Sequence, residues 1–334
     1  MKDMVKCSDS QVIARINMLR GLFAILIVLG HCSMRFEKEL FPLMFIHKFN
    51  MVSVCFFFMA SGISLSYNFE HKEGYLKGFI RNKIILLAVF ALIAQLIGKA
   101  ISSIVLGEYF ALDVRILTGM NWYIYEMAVL YLIFYMVNKY VKKSVVKETL
   151  FYLSALIICL VTLYFFRHGS WEGWSPAYYY STFSFPFGIT LYLHFDAIQK
   201  SLMRHPLPKA IVLLCVAVST CISLTMPNDS IWGGVFLRNT MGGCIMTLLF
   251  MFLNYVDVNE NSVIGKAVSF LTGFSTEIYL YQFCLLELWA SVYGRMRWDI
   301  NLTYVCAVTG STIVLGYVMH FVDAGIAKAV KDSP

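Results

Sequence analysis

The stretch Arg15-Ile-Asn-Met-Leu-Arg-Gly-Leu-Phe-Ala-Ile-Leu-Ile-Val-Leu-Gly-His-Cys-Ser33 carries two ionisable side chains beyond Met18, Arg20 and His31, in an otherwise apolar run. A run of this length and character suits a helix that crosses a bilayer. At 100° per residue, an eleven-residue spacing leaves Arg20 and His31 about 20° apart around the helix and about 16 Å apart along it. Both therefore lie on one stripe, one towards each membrane face. An ionisable residue inside a span is costly and marks a functional path by default. The plainer alternative has Arg20 snorkelling to the headgroups and His31 capped by a neighbour.

The rest of the 334 residues belongs with that helix. The chain is 59% hydrophobic and 14% charged, against about 25% charged in soluble globular proteins. Runs of about 20 apolar residues predict an all-α, polytopic bundle of about ten spans. They lie near 16–33, 49–68, 84–105, 121–137, 148–166, 178–195, 209–226, 231–254, 267–292 and 302–327. The runs are continuous rather than alternating, which argues against a β-barrel. No repeat, linker or low-complexity tract divides the chain, so residues 1–334 read as a single domain. The first helix lacks a signal-peptidase site and is expected to stay on the protein.

The net charge of +7 does not indicate a nucleic-acid partner, because the basic residues cluster in alternate loops. Three of the 27 Lys and Arg (Arg20, Lys99 and Arg238) lie inside spans; the other 24 divide seventeen to seven between the two sides. The positive-inside rule then puts both termini in the cytoplasm, with Arg20 near the cytoplasmic face and His31 near the outer one. The nine cysteines show no metal-ligand spacing. They read as small buried hydrophobes with no disulfide framework and no metal site.

Four segments in order carry a resemblance to a known family. They are Arg20, Gly21, Ala24 and His31 in the first span; Phe56, Phe57, Ser61 and Gly62 in the second; the Trp122 to Glu126 segment opening the fourth; and Ser275, Glu277, Ile278, Tyr279 and Leu280 in the ninth. Together they resemble the membrane acyltransferases called acyltransferase 3. Pro186 and Gly188 in the sixth span match a weaker feature of that family, expected to be a bend. The resemblance implies transfer of an acyl group, commonly acetyl from acetyl-CoA, to a hydroxyl of a glycan or glycolipid at the bacterial inner membrane. Partners would be acyl-CoA, the acceptor and membrane lipid; a homodimer is left open.

Roles follow from the same likeness. His31 is the expected catalytic base, with Glu126 beside it to hold its tautomer. Glu126 could instead pair with Lys99 or Arg238. Arg20 is expected to bind donor phosphate, joined by Arg81 and Lys83 in the basic loop before the third span; a basic loop is also simply a topology signal. Trp122, Arg238, Glu277, Tyr281 and Gln282 are the expected substrate contacts. The family's late signature commonly ends in His, and Gln282 stands there. Gln cannot serve as a base near neutral pH, which leaves the role to His31. Two other readings stay open: a transporter or flippase of lipid-linked sugar, and an inactive family member.

Overall fold

The computed structural model describes residues 9–36, 41–107, 122–167, 181–204, 210–211, 213–215, 217–218 and 262–332. Through them run α1 (Asp9–Ser33), α2 (Phe41–His71), a π-helical segment (Ile80–Ile85) continuing into α3 (Leu86–Leu106), α4 (Trp122–Tyr140) and α5 (Ser144–Arg167). Then come α6 (Ser184–Leu193), α7 (Phe195–Arg204), α8 (Val263–Gly273), α9 (Ser275–Met296) and α10 (Leu302–Asp332). No strand occurs among the described residues. Among the described residues, five stretches are long and apolar enough to cross a membrane: Arg15–Ser33, Val52–His71, Ile80–Val105, Ser144–Thr162 and Leu302–Val330. The comparably long α4 and α9 are more polar, because Glu126 sits in one and Glu277, Gln282 and Glu287 in the other. The predicted spans at 231–254, with Arg238, and most of 209–226 lie outside the described residues.

Two predicted spans differ in form. The run 267–292 is not one helix: α8 ends at Gly273, Phe274 leaves helical geometry at φ −131° and ψ 30°, and α9 starts afresh at Ser275. Within 178–195, the described helix α6 has ten residues, a length of about 15 Å. Pro186 does not bend it. It sits in the first turn, where a missing N–H has no helical partner to lose.

Inside a bilayer, lipid is as apolar as the side chains, so close packing rather than water exclusion holds helices together. The glycines show where that closeness occurs. A Cβ on Gly62 would overlap the Phe185 carbonyl, and one on Gly188 would overlap Met59, so α2 and α6 touch through backbone. Gly62 thus belongs to the packing surface between α2 and α6, whereas Ser61 lines a cavity. On the other flank, a Cβ on Gly98 would come within 2.9 Å of Cys284 where α3 meets α9. The most buried membrane-length stretch, Val52–His71, lies between α1 and α6, with Cys55, Phe56, Met59 and Ala60 wholly enclosed.

Helix directions follow from the contacts. Met18 pairs with Thr272, His31 with Gln282 and Arg35 with Glu287, so α1 runs parallel to α8 and α9. Phe23 stacks on Phe56 while Arg20 reaches Ser64, so α2 is antiparallel to α1. Glu277 meets His320 and Trp289 meets Ser311, which makes α10 antiparallel to α9. Arg20, the π-helical segment and the start of α9 accordingly gather at one level. His31 lies about three helical turns further along.

Candidate active site

Arg20 opens onto a cavity of about 280 Å³ between α1, α2, the π-helical segment, α3, α4 and the start of α9. Its guanidinium donates to Ser64 Oγ at 3.1 Å and approaches the Ala60 carbonyl at 3.4 Å. The buried Nε has no hydrogen-bond partner, and no carboxylate among the described residues pairs with it. A buried cationic donor in that state is disfavoured unless something anionic completes it. Lys83 and Asn82 line the same cavity, as do Ser275 and Thr276 at the first turn of α9. Phe274 gives that turn no side-chain cap, so its N–H groups add partial positive charge to this end. Arg20 and Lys83, the two cations expected to act together, thus share one cavity. Arg81, in the same π-helical segment, is not among the cavity-lining residues.

Aromatic side chains form part of the cavity wall. Phe57, Tyr123 and Tyr279 line it, with the Tyr123 and Tyr279 rings 4.7 Å apart. One turn beyond Tyr279, the fully buried Gln282 places Oε1 3.1 Å from His31 Nδ1. Its amide nitrogen donates to the Tyr279 carbonyl at 3.1 Å. The Phe283 ring lies 4.7 Å from the imidazole. One residue, Tyr279, thus walls the cavity with its side chain and anchors the neighbour of His31 with its carbonyl.

Glu126 does not take the place expected for it beside His31. It is buried and accepts a short hydrogen bond from the Thr182 hydroxyl, while its second oxygen has no partner. The reason is helix rotation. Tyr123, Met127 and Tyr131 turn one face of α4 to the cavity, and Glu126 lies about 100° round from Met127. That direction faces Cys55 and Cys159 on α2 and α5 instead. Trp122 packs edge-on against Tyr123 and does not itself line the cavity.

Glu277 and Tyr281 occupy the face of α9 turned from the cavity, towards α3 and α10. Glu277 meets His320 Nδ1 at 2.8 Å. Tyr281 is enclosed by Ala91, Ala94 and Met319. Asp323 is also buried there, with both carboxylate oxygens lacking a hydrogen-bond partner. His320, which no family motif singles out, and Asp323 are not among the expected site residues. Their i, i+3 spacing inside a span is a signal of the same kind as Arg20 and His31. Among the described residues, no group of three or more His, Cys, Asp or Glu is arranged to hold a metal ion.

A family model described as an acyltransferase domain, that of acyltransferase 3, matches residues 13–321. No curated protein and no solved structure gives a match. The family match covers almost the whole chain, including α1 with Arg20 and His31 and α9 with Gln282. The chain belongs to the acyltransferase 3 family.

Proposed function

We propose that this membrane acyltransferase moves an acyl group, acetyl first among the candidates, from acyl-CoA to a hydroxyl of a glycan or glycolipid at the cell envelope. The chain would lie in the bacterial inner membrane with about ten spans and both termini cytoplasmic. The observation that carries this reading is the cavity. It is lined by Arg20, whose buried Nε has no hydrogen-bond partner, by Lys83, and by Tyr279, whose carbonyl accepts from the Gln282 amide one turn along α9. Donor phosphates would be held by Arg20 and Lys83 through charge-assisted hydrogen bonds. The pantetheine arm would run past Tyr123 and Tyr279, bringing the thioester towards His31. The relative directions of α1, α2, α9 and α10 agree with strict alternation across the membrane.

The chemistry is acyl transfer with a single base. His31 takes the proton of the acceptor hydroxyl as its oxygen attacks the thioester carbonyl. The carbon–sulfur bond breaks, the thiolate leaves, and the imidazolium returns the proton to give CoA thiol and an ester. Arg238 is kept as the proposed acceptor contact.

The break at Phe274 gives some support to a second reading, since transporters of polar substrates also use discontinuous helices facing a polar site. One experiment sorts the two. Purified protein in lipid nanodiscs is given acetyl-CoA with and without envelope glycan, and free thiol is followed. Acceptor-dependent release of CoA thiol is expected. A protein that moves glycan across liposomes while ignoring acetyl-CoA would sink the enzyme reading.

A further inference from the structure

We propose that Gln282 is a positioning residue that holds the proton on Nδ1 of His31 and thereby makes Nε2 the basic nitrogen. The inference rests on the reading of His31 as the base, and it gives Gln282 a task that its departure from the family's usual His did not suggest.

The argument starts from which end of the Gln282 amide faces the imidazole. The side chain is wholly buried. Its amide nitrogen donates to the Tyr279 carbonyl at 3.1 Å. Turning the amide over would set two oxygens against each other at that distance, so the Tyr279 carbonyl fixes Oε1 on the His31 side. An amide oxygen accepts and never donates. The 3.1 Å contact from Oε1 to Nδ1 is therefore a hydrogen bond only if Nδ1 carries the proton. A neutral imidazole protonated on Nδ1 has its lone pair on Nε2. Phe283, the next residue along α9, places its ring 4.7 Å from the imidazole at a tilt of 50°, so two consecutive residues of α9 contact the ring. Holding the tautomer is the task first expected of Glu126, which is engaged by Thr182 instead.

The identity of the residue has its own consequence. A carboxylate in this place would fix the same tautomer but also stabilise the protonated ring, raising its basicity. A neutral amide orients the ring without that bias. A His there could present either nitrogen and would not define the tautomer alone.

The test compares Gln282→Leu, Gln282→Glu and His31→Ala in lipid nanodiscs with acetyl-CoA and envelope glycan. Gln282→Leu should lower kcat by about tenfold to a hundredfold, a part of the roughly 10²–10⁴-fold that general-base catalysis contributes, with the KM for acetyl-CoA unchanged. Gln282→Glu should recover most of kcat, with the rising limb of its pH–rate profile moved to higher pH, because a stabilised imidazolium gives up its proton later. Histidine-labelled ¹⁵N spectra, assigned by the His31→Ala difference, should show the Nδ1-protonated form in the wild type and a mixture in Gln282→Leu. Wild-type kcat in Gln282→Leu, or a Gln282→Glu profile that does not move, would overturn the proposal. If Gln282→Leu does not fold, the Gln282→Glu profile decides alone. Activity in His31→Ala would remove the base itself, and this inference with it; an inactive His31→Ala beside a fully active Gln282→Leu would remove only the role of Gln282.

Discussion

The Thr272 hydroxyl donates to the Met18 carbonyl 2.7 Å away, across 254 residues of chain. The same oxygen accepts from the Gly21 N–H at 3.3 Å. The two bonds bracket Arg20, so the last turn of α8 grips the turn of α1 that presents the guanidinium. Gly21 permits the grip, because a Cβ there would fall 2.6 Å from the Thr272 nitrogen and 2.7 Å from Leu271. Gly21→Ala should therefore push α1 from α8 and destabilise the fold by roughly 1–3 kcal/mol, the range for overpacking. Gly273→Ala, whose Cβ would meet nothing within 4 Å, is the control. Thermal unfolding in detergent of the two variants should differ, with only Gly21→Ala well below the wild type.

Donor affinity should follow the cavity lining rather than the count of nearby cations. Arg20→Ala should weaken CoA binding by roughly 1.5–3 kcal/mol, the range for a charged hydrogen bond. Lys83→Ala should have a smaller effect, since its side chain is solvent-exposed and screened. Arg81→Ala should leave affinity within error of the wild type. Calorimetric titration of CoA into the purified variants measures all three, and equal losses at Arg81 and Lys83 would contradict this placement of the binding site.

Glu126 should prove structural. Glu126→Gln keeps an oxygen for the Thr182 hydroxyl, so kcat and the shape of the pH–rate profile should stay those of the wild type. Thr182→Val leaves a buried carboxylate without its donor and should destabilise by about 1–3 kcal/mol. A pH profile that moves in Glu126→Gln would put the carboxylate back in contact with the base.

The contact between Glu277 and His320 predicts a coupling that involves Asp323. Removing the imidazole in His320→Ala leaves two buried acids facing one another, at an expected cost of roughly 1–3 kcal/mol. Adding Asp323→Asn removes one of those acids and should return part of the loss. A double-mutant cycle by thermal unfolding measures the coupling. Strict additivity would mean that the two side chains do not share a site.

What could be read from the sequence depended on whether position along a helix was enough. The Arg20–His31 stripe needs only helical geometry and an apolar run, and the structure keeps both residues inward on α1. Glu126 needed the rotation of α4 as well, and that is set by Tyr123, Met127 and Tyr131 packing round the cavity, contacts that exist only in three dimensions. The break at Phe274 escaped a hydropathy reading because Leu271 to Ser275 is nearly as apolar as its flanks. Its cause is a local backbone conformation rather than a polar or Pro-rich signal. Gln282 was visible as a residue type, but its task depends on the carbonyl of Tyr279, which no side-chain pattern reports.

The π-helical segment Ile80–Ile85 bonds the Leu86 N–H to the Arg81 carbonyl, five residues back rather than four. Such a turn holds one residue more than an α-helical path of the same connection. That surplus brings the sequence neighbours Asn82 and Lys83 together onto one cavity wall. Deleting a single apolar residue here, Ile84 for instance, would leave every charged and polar side chain of the chain in place. It would nonetheless turn Lys83 by about 100° relative to α3 and carry it off the wall. At this point in the molecule a change in residue count, with no change in chemistry, is enough to separate the lysine from Arg20.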